Sequence, residues 1–208
     1  MILLDNKQTI KELTYKMSNK ERFALVNFSR SALLAAAGKM PQEKRPPKPF
    51  TRSIINSLEN NHQNFMKGIP YHMTEEGSGL NLDTVSGLAN ARTYDAGMLE
   101  NYFLNRRDVF DAFVNFYIRH SSNVVVTFHD KKVIQKVIGT PTHVIQIPYN
   151  DFYDKLDSIV DQVIEVGSNV DYCILDCPVL ASALGSKLWE RSNISILDFG
   201  KVFTIASK

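Results

Sequence analysis

Between residues 123 and 203 the chain carries four short apolar runs with helical pattern between them, and this feature constrains the fold most. The runs cover residues 124–128, 143–147, 172–175 and 194–197. Near-continuous apolar strands of this kind are typical of a parallel sheet that is buried on both faces. Each run is followed by a loop with polar or small residues, at 129–130, 148–150, 176–178 and 198–200. Since ligands bind outside the carboxyl ends of such strands, these loops are the predicted place of a functional site.

Composition sets wide limits on the class of protein. A length of 208 residues suits one domain, and a hydrophobic content of 44% is enough for a packed core. The formal net charge of +2 is too small to indicate nucleic-acid or membrane binding by itself. The two cysteines, Cys173 and Cys177, are interpreted as reduced thiols, which favours a cytoplasmic location. There is no apolar run of 18 residues and no signal-peptide pattern at the N-terminus, so we expect no membrane partner.

The N-terminal half predicts helices at 6–20, 32–38 and 51–64, with strands at 23–28 and 65–70. Residues 39–52 are rich in proline and basic side chains and predict an extended, mobile loop. Residues 72–97 predict a second long loop, and residues 98–119 a helix with an aromatic stripe. Strands that alternate with helices indicate an α/β fold: one three-layer, Rossmann-like domain over residues 1–208 with a mostly parallel sheet.

Several common site motifs are absent from the sequence. It contains neither the Gly-x-Gly-x-x-Gly turn nor the P-loop pattern, and it has no Gly-x-Ser-x-Gly elbow. The five histidines are scattered without metal-ligand spacing, so no zinc site is predicted.

Five stretches together resemble a known family. They are residues 21–32, 64–70, 147–156, 172–182 and 196–201, and they include Ile-Pro-Tyr-Asn-Asp-Phe-Tyr and Ile-Leu-Asp-Phe-Gly-Lys. Their order is similar to that of the GT-D type glycosyltransferases, which transfer a sugar from a nucleotide-sugar donor. The resemblance covers roughly residues 21–203 and implies a nucleotide-sugar co-substrate and a hydroxyl acceptor.

The chain departs from that family at the acidic turn after the first strand, which in the family holds a divalent metal and the donor diphosphate. The Arg-Phe-Gly-Asp-Gly-Glu turn of the family falls on Asn27 to Ala32, so that Arg30 replaces its Asp and Ala32 its Glu. This departure predicts that the family's metal site cannot form there and that no cofactor is required. One hypothesis is that Arg30 replaces the metal as the cation that stabilises the leaving diphosphate. The other is that the site has decayed and the domain is a non-catalytic binding or scaffold protein.

The remaining candidates are strand-end residues and loop residues. Asp198 is predicted to be catalytic together with Arg30, or else to cap the next turn. The predicted donor-binding residues are Asn27, Ser29, Ser31, Tyr149, Asn150, Asp176 and Lys201. The candidates for the base that deprotonates an acceptor are Glu75, Glu76, Asp83, Asp95 and Asp198, and the sequence does not distinguish among them.

The acceptor is left open between a glycan and a hydroxymethylated DNA base, as in viral DNA modification. Lys44 and Arg45, in the basic loop, and Glu75 and Glu76, in the second loop, are the predicted acceptor-binding residues. Basic side chains of that loop would contact phosphates if the acceptor is DNA, whereas a solvated loop is the alternative. An unrelated α/β enzyme that acts on a phosphorylated small molecule is a third hypothesis.

Overall fold

The computed structural model describes residues 2–73, 80–89, 91–149 and 152–208. Within these residues the chain forms one sheet of parallel strands in the order β1-β4-β3-β2-β8-β7-β5-β6. The strands are β1 (Ile2–Leu4), β2 (Ala24–Asn27), β3 (Phe65–Ile69), β4 (Arg92–Asp95), β5 (Asn123–Thr127), β6 (His143–Gln146), β7 (Tyr172–Asp176) and β8 (Ser195–Asp198). The predicted three-layer α/β class with a mostly parallel sheet is confirmed.

The helices that cover the sheet are α1 (Asn6–Ser18), α2 (Arg30–Ala36), α3 (Lys48–Glu59), α4 (Met98–Asn105), α5 (Arg107–Phe113), α6 (Lys131–Ile138), α7 (Leu156–Gly167), α8 (Pro178–Arg191) and α9 (Val202–Ala206). Short 3-10 turns lie at Gln42–Lys44, Tyr71–Met73, Leu82–Thr84 and Tyr153–Lys155, and a π-helical turn at Val114–Ile118.

Alternation along the buried strands divides the core into two layers. Val124 and Val126 of β5 belong to the core layer that contains residues of α2, α3, α7 and α8, whereas Val125 belongs to the layer on the opposite face, with residues of α1, α4, α5, α6 and α9. Because successive side chains of a strand point to opposite faces, an unbroken apolar run supplies both layers. Both cysteines, Cys173 and Cys177, are free and buried in this core.

The connections place a crevice at the carboxyl edge of the sheet. The chain that leaves β2 enters α2 on one face, and the chain that leaves the neighbouring β8 enters α9 on the other face. Such a divergence between adjacent parallel strands opens a crevice outside their carboxyl ends, where ligands of open α/β sheets bind.

Three sequence predictions were wrong in detail. Residues 72–97 are not one long loop, because β4 lies within them between β1 and β3. The loop predicted at 39–52 is shorter, since α3 begins at Lys48. Proline is tolerated in the first turn of a helix because the N–H it lacks has no partner there, and Pro49 lies in that turn. The helix predicted at 98–119 is broken between α4 and α5 and ends in the π-helical turn.

Candidate active site

A cavity of about 520 Å³ lies at the carboxyl edge of the sheet, in the crevice between β2 and β8 and next to the end of β4. The polar and charged side chains that line it include Asn27, Arg30, Asp95, Glu100 and Lys201. Of the predicted site residues and base candidates, Asn27, Ser29, Arg30, Asp95 and Lys201 are therefore brought together. The other predicted residues that the structure describes do not line this cavity.

The floor of the cavity is a clamp between β2 and β8. The backbone N–H of Asn27 donates to Asp198 Oδ2 at 3.0 Å, and Asn27 Nδ2 donates to the carbonyl oxygen of Asp198 at 3.1 Å. Gly68 on β3 leaves room for this arrangement, because a Cβ at that position would lie 2.1 Å from Asn27 Oδ1. The clamp fixes the ends of two adjacent strands at the point where they diverge.

Asp198 itself is buried beneath the cavity. It is fully excluded from solvent and also accepts the N–H of Gly200 at 2.8 Å. Burial raises the pKa of Asp198 to about 7, although the N–H groups of Gly200 and Asn27 oppose the shift by stabilising the carboxylate. In this position its carboxyl group holds the β8 turn and does not face the cavity.

Two carboxylates face the cavity from β4 and α4. Asp95 Oδ1 accepts the N–H of Gly97 at 2.8 Å, and Glu100 Oε1 accepts the backbone N–H of Lys201 at 2.9 Å. Burial raises the pKa of both groups. Gly200, at φ +61°, lets the β8 turn approach Glu100, since a Cβ there would lie 2.4 Å from Oε1. Glu100 was not among the predicted residues, because it lies inside the helix predicted at 98–119 and no motif of the sequence marks it.

Two cations face the same space. Arg30 is the first residue of α2, is exposed, and takes part in none of the ion pairs among the described residues. Lys201 is exposed at the turn between β8 and α9. Ser29 is occupied by local structure, because its Oγ accepts the N–H of Ala32 at 3.2 Å and caps α2. Ser31 is exposed on the helix and does not line the cavity.

A second polar cluster lies farther along the same edge, at the ends of β5 and β7. Thr127 Oγ1 lies 2.7 Å from Asp176 Oδ2, and His129 Nε2 lies 3.6 Å from the same oxygen. Burial raises the pKa of Asp176 to about 8 and lowers the pKa of His129. At neutral pH both directions favour an uncharged contact over an ion pair. Tyr149, beyond β6, is 81% exposed and packs its ring edge-on against Phe128.

The predicted acceptor-binding residues are placed only in part. Lys44 and Arg45 lie between α2 and α3, and Arg45 donates to the carbonyl oxygens of Met40 and Gly38 at 2.7 and 3.1 Å. Glu75, Glu76 and Asn150 lie outside the described residues.

The side chains that the structure describes do not form a metal centre. There, no three His, Cys, Asp or Glu side chains are grouped so as to hold an ion. The same residues include no helix that is both long and apolar enough to cross a lipid bilayer.

Comparison with solved structures identifies the architecture. A glycosyltransferase (DUF1792) from Streptococcus sanguinis superposes with a TM-score of 0.75 at 14% identity, over 97% of this chain and 82% of that one. Another structure of domain of unknown function 1792 gives 0.71 at 10% identity, over 97% and 79% of the two chains. A third, described as having a distinct glycosyltransferase fold, gives 0.69 at 11% identity over the same shares. The chain has the GT-D glycosyltransferase fold.

The likeness is one of structure and extends over nearly the whole chain. No protein-family model and no curated protein matches the sequence. At 10–14% identity the GT-D fold is established, whereas the chemistry has to be argued from the residues of this chain.

Proposed function

We propose that the protein is a glycosyltransferase that moves a sugar from a nucleotide-sugar donor to a hydroxyl acceptor, a glycan or a hydroxymethylated DNA base. The observation that carries the proposal is the cavity at the β2/β8 divergence of a GT-D fold, in which two cations face two half-buried carboxylates. Polar groups that converge in a crevice at this edge of an α/β sheet are typical of a substrate site.

Arg30 and Lys201 are proposed to bind the donor diphosphate. Both are exposed to the cavity, and the backbone N–H of Lys201 is already fixed by Glu100. The bond between the anomeric carbon and the phosphate oxygen breaks with its electron pair leaving on the nucleoside diphosphate. Fixed cations beside that oxygen stabilise the charge that develops there. A guanidinium is suited to this role because it offers two parallel N–H groups to phosphate oxygens.

Asp95 is proposed as the base of an inverting transfer. Of the predicted base candidates that the structure describes, Asp95 lines the cavity, Asp198 is buried below it, and Asp83 is outside its lining. Asp95 takes the proton of the acceptor hydroxyl while the acceptor oxygen forms its bond to the anomeric carbon. Burial raises the pKa of Asp95, which brings its basicity closer to what proton transfer near neutral pH requires.

The metal-binding turn of related enzymes does not fit this chain. Arg30 and Ala32 stand where the resemblance puts the acidic ligands, and Asp95 and Glu100 lack a third ligand among the described residues. We therefore propose that side chains of the protein neutralise the charge of the donor diphosphate.

The test is donor binding and donor hydrolysis across a panel of nucleotide sugars, first in chelator and then with manganese. We expect binding in chelator, and we expect Arg30→Ala to weaken it at least tenfold, which is about 1.4 kcal/mol. Arg119→Ala is the matched control, because Arg119 is exposed and lies outside the cavity. Circular dichroism would establish that both variants are folded.

Two results would contradict the proposal. Full activity in Arg30→Ala would show that this arginine does not replace the metal. No binding of any nucleotide sugar, with or without manganese, would favour the non-catalytic binding or scaffold domain instead.

A further inference from the structure

A second cavity, of about 650 Å³, lies between the end of α2 and the beginning of α3. We call it the α2–α3 groove. Three cationic side chains line it, those of Arg45, Lys48 and Arg52, and no carboxylate is among its lining residues. Gln42 and Thr51 add neutral polar groups. The groove therefore attracts anions and has no carboxylate of its own to neutralise its charge.

The groove concentrates the positive charge of the chain. Residues 39–52 contain five basic residues and one acidic residue, a formal charge of +4, whereas the whole chain carries +2. The rest of the chain is therefore negative by two charges. The five basic side chains are all exposed, and none takes part in an ion pair among the described residues. A local excess of this kind raises the concentration of polyanions at that surface.

The backbone and one arginine of the groove are held in place by local contacts. Arg45 is held by the carbonyl oxygens of Gly38 and Met40, and prolines at 46, 47 and 49 restrict the backbone on either side. Lys48 and Arg52 are four residues apart on α3, so they share one face of the helix. Less conformational entropy is lost when a ligand binds cations that are already placed.

The groove opens at the same edge of the sheet as the candidate active site. Phe50, in the first turn of α3, packs edge-on against Tyr153, which follows β6 at the carboxyl edge. The short helix α2 joins the two cavities, with Arg30 at its beginning and Gly38 just beyond its end. Its seven residues span about 10 Å at 1.5 Å per residue, a distance that a few nucleotides of a strand cover.

We infer that the α2–α3 groove binds the sugar-phosphate backbone of a nucleic acid, and that the acceptor of the proposed glycosyl transfer is a hydroxyl on one of its bases. This inference rests on the proposed function for the transfer step, but the binding itself does not. An anionic membrane surface is the less suitable partner, because the large exposed apolar side chains of the described chain all lie outside residues 39–52. Peripheral membrane binding needs apolar side chains beside the basic ones.

The probe is a fluorescein-labelled DNA duplex of about 20 base pairs, titrated without donor at roughly 50 to 200 mM salt. The groove variant is Lys44→Gln/Lys48→Gln/Arg52→Gln, in which Lys48 and Arg52 line the groove and Lys44 is the exposed lysine that precedes Arg45. The matched control is Lys7→Gln/Lys11→Gln/Lys131→Gln, which removes the same charge from exposed positions on α1 and α6, on the other face of the sheet. Arg45 is left in place because it also holds the loop.

The wild-type affinity is expected to fall steeply with salt. A plot of the logarithm of the binding constant against the logarithm of the salt concentration should have a slope of about −0.9 for each phosphate contacted. The groove variant should lose tenfold or more in affinity at the lowest salt and lower the slope by about 2 to 3, and the control should retain both. Wild-type affinity in the groove variant, or an equal loss in the control, would overturn the inference. Tighter binding to phosphatidylserine vesicles than to DNA, at equal phosphate concentration, would overturn the nucleic-acid assignment. Because the titration contains no nucleotide sugar, either of these results would leave the proposed glycosyltransferase activity untested, and that activity is decided separately by the measurement with nucleotide sugars.

Discussion

Gly68 offers the sharpest test of how the candidate site is built. The glycine lies on β3 beside the end of β2, where Asn27 reaches across to Asp198. A Cβ at position 68 would lie 2.1 Å from Asn27 Oδ1 and 3.1 Å from Asn27 Cγ, and 3.3 Å from the Cα of Ala96. The first distance is far inside contact range, so Gly68→Ala must displace the Asn27 side chain.

The cost of Gly68→Ala has two parts. Overpacking a buried site costs about 1–3 kcal/mol. Displacing Asn27 also breaks the 3.1 Å bond from Nδ2 and leaves the buried carbonyl of Asp198 without that donor, which costs about 1–3 kcal/mol. Replacing glycine restricts the unfolded chain and returns about 0.4–1 kcal/mol. We therefore expect the free energy of unfolding to fall by roughly 3 kcal/mol.

Urea denaturation of a double-mutant cycle is the assay. In an Asn27→Ala background the colliding Oδ1 and Cγ are gone, so Gly68→Ala should cost about 1 kcal/mol or less, with a coupling energy of about 2 kcal/mol. Gly97→Ala is the control, since its nearest neighbour for a Cβ is Asp95 Oδ1 at an ordinary 3.4 Å. An equal cost for Gly68→Ala in both backgrounds would refute the clamp.

Two further predictions concern protonation. Burial raises the pKa of Asp95, and the proposed base must be ionised, so the rate of transfer should decline as pH falls through that raised pKa. Asp95→Asn should lower the rate by about 10²–10⁴-fold. The rate of transfer measured against pH for both proteins checks this. Burial lowers the pKa of Lys67, whose Nζ donates to the carbonyl oxygen of Gly87 at 2.9 Å. The unfolded chain then binds this proton more tightly than the folded chain. The free energy of unfolding should therefore rise with pH between the lowered pKa and the ordinary lysine pKa of 10.5. Urea midpoints of Lys67→Met should lack that rise.

The half of the sheet formed by β8, β7, β5 and β6 was predicted well from the sequence, for a physical reason. Strands β5, β7 and β8 are buried on both faces, so each appears as an unbroken apolar run, and α6 lies in the helical pattern between the runs at 124–128 and 143–147. Its beginning was also recognisable, since Asp130 Oδ1 accepts the N–H of Val133 as an N-cap. Buried strands and helix starts can therefore be predicted from the sequence where a local residue pattern alone determines them.

Strands β4 and β1 were harder to predict because they are short and only partly buried, whereas β2 and β3 lie within the predicted strands at 23–28 and 65–70. In β4 only Thr93 and Tyr94 are buried, and β1 has three residues that pair with β4 at the edge of the sheet. Missing β4 meant that Asp95 could not be recognised as a strand-end residue, nor Glu100 as its neighbour in the cavity. Their proximity to Asn27, Arg30 and Lys201 arises from non-local strand pairing, which no local pattern encodes.

The charges at the turn after β2 differ from those of the family turn in a way that agrees with the proposed chemistry. The family turn carries two carboxylates that bind a divalent cation, which together leave little net charge. Here Arg30 and Ala32 leave one positive charge that is attached to the chain, so the proposed anion site does not depend on an ion. A domain that had lost its chemistry would have no need of Gly200 at φ +61° to seat Glu100, or of a half-buried Asp95 in an open cavity. Both features cost stability, since burial opposes ionisation of each carboxylate, and catalysis would explain that cost.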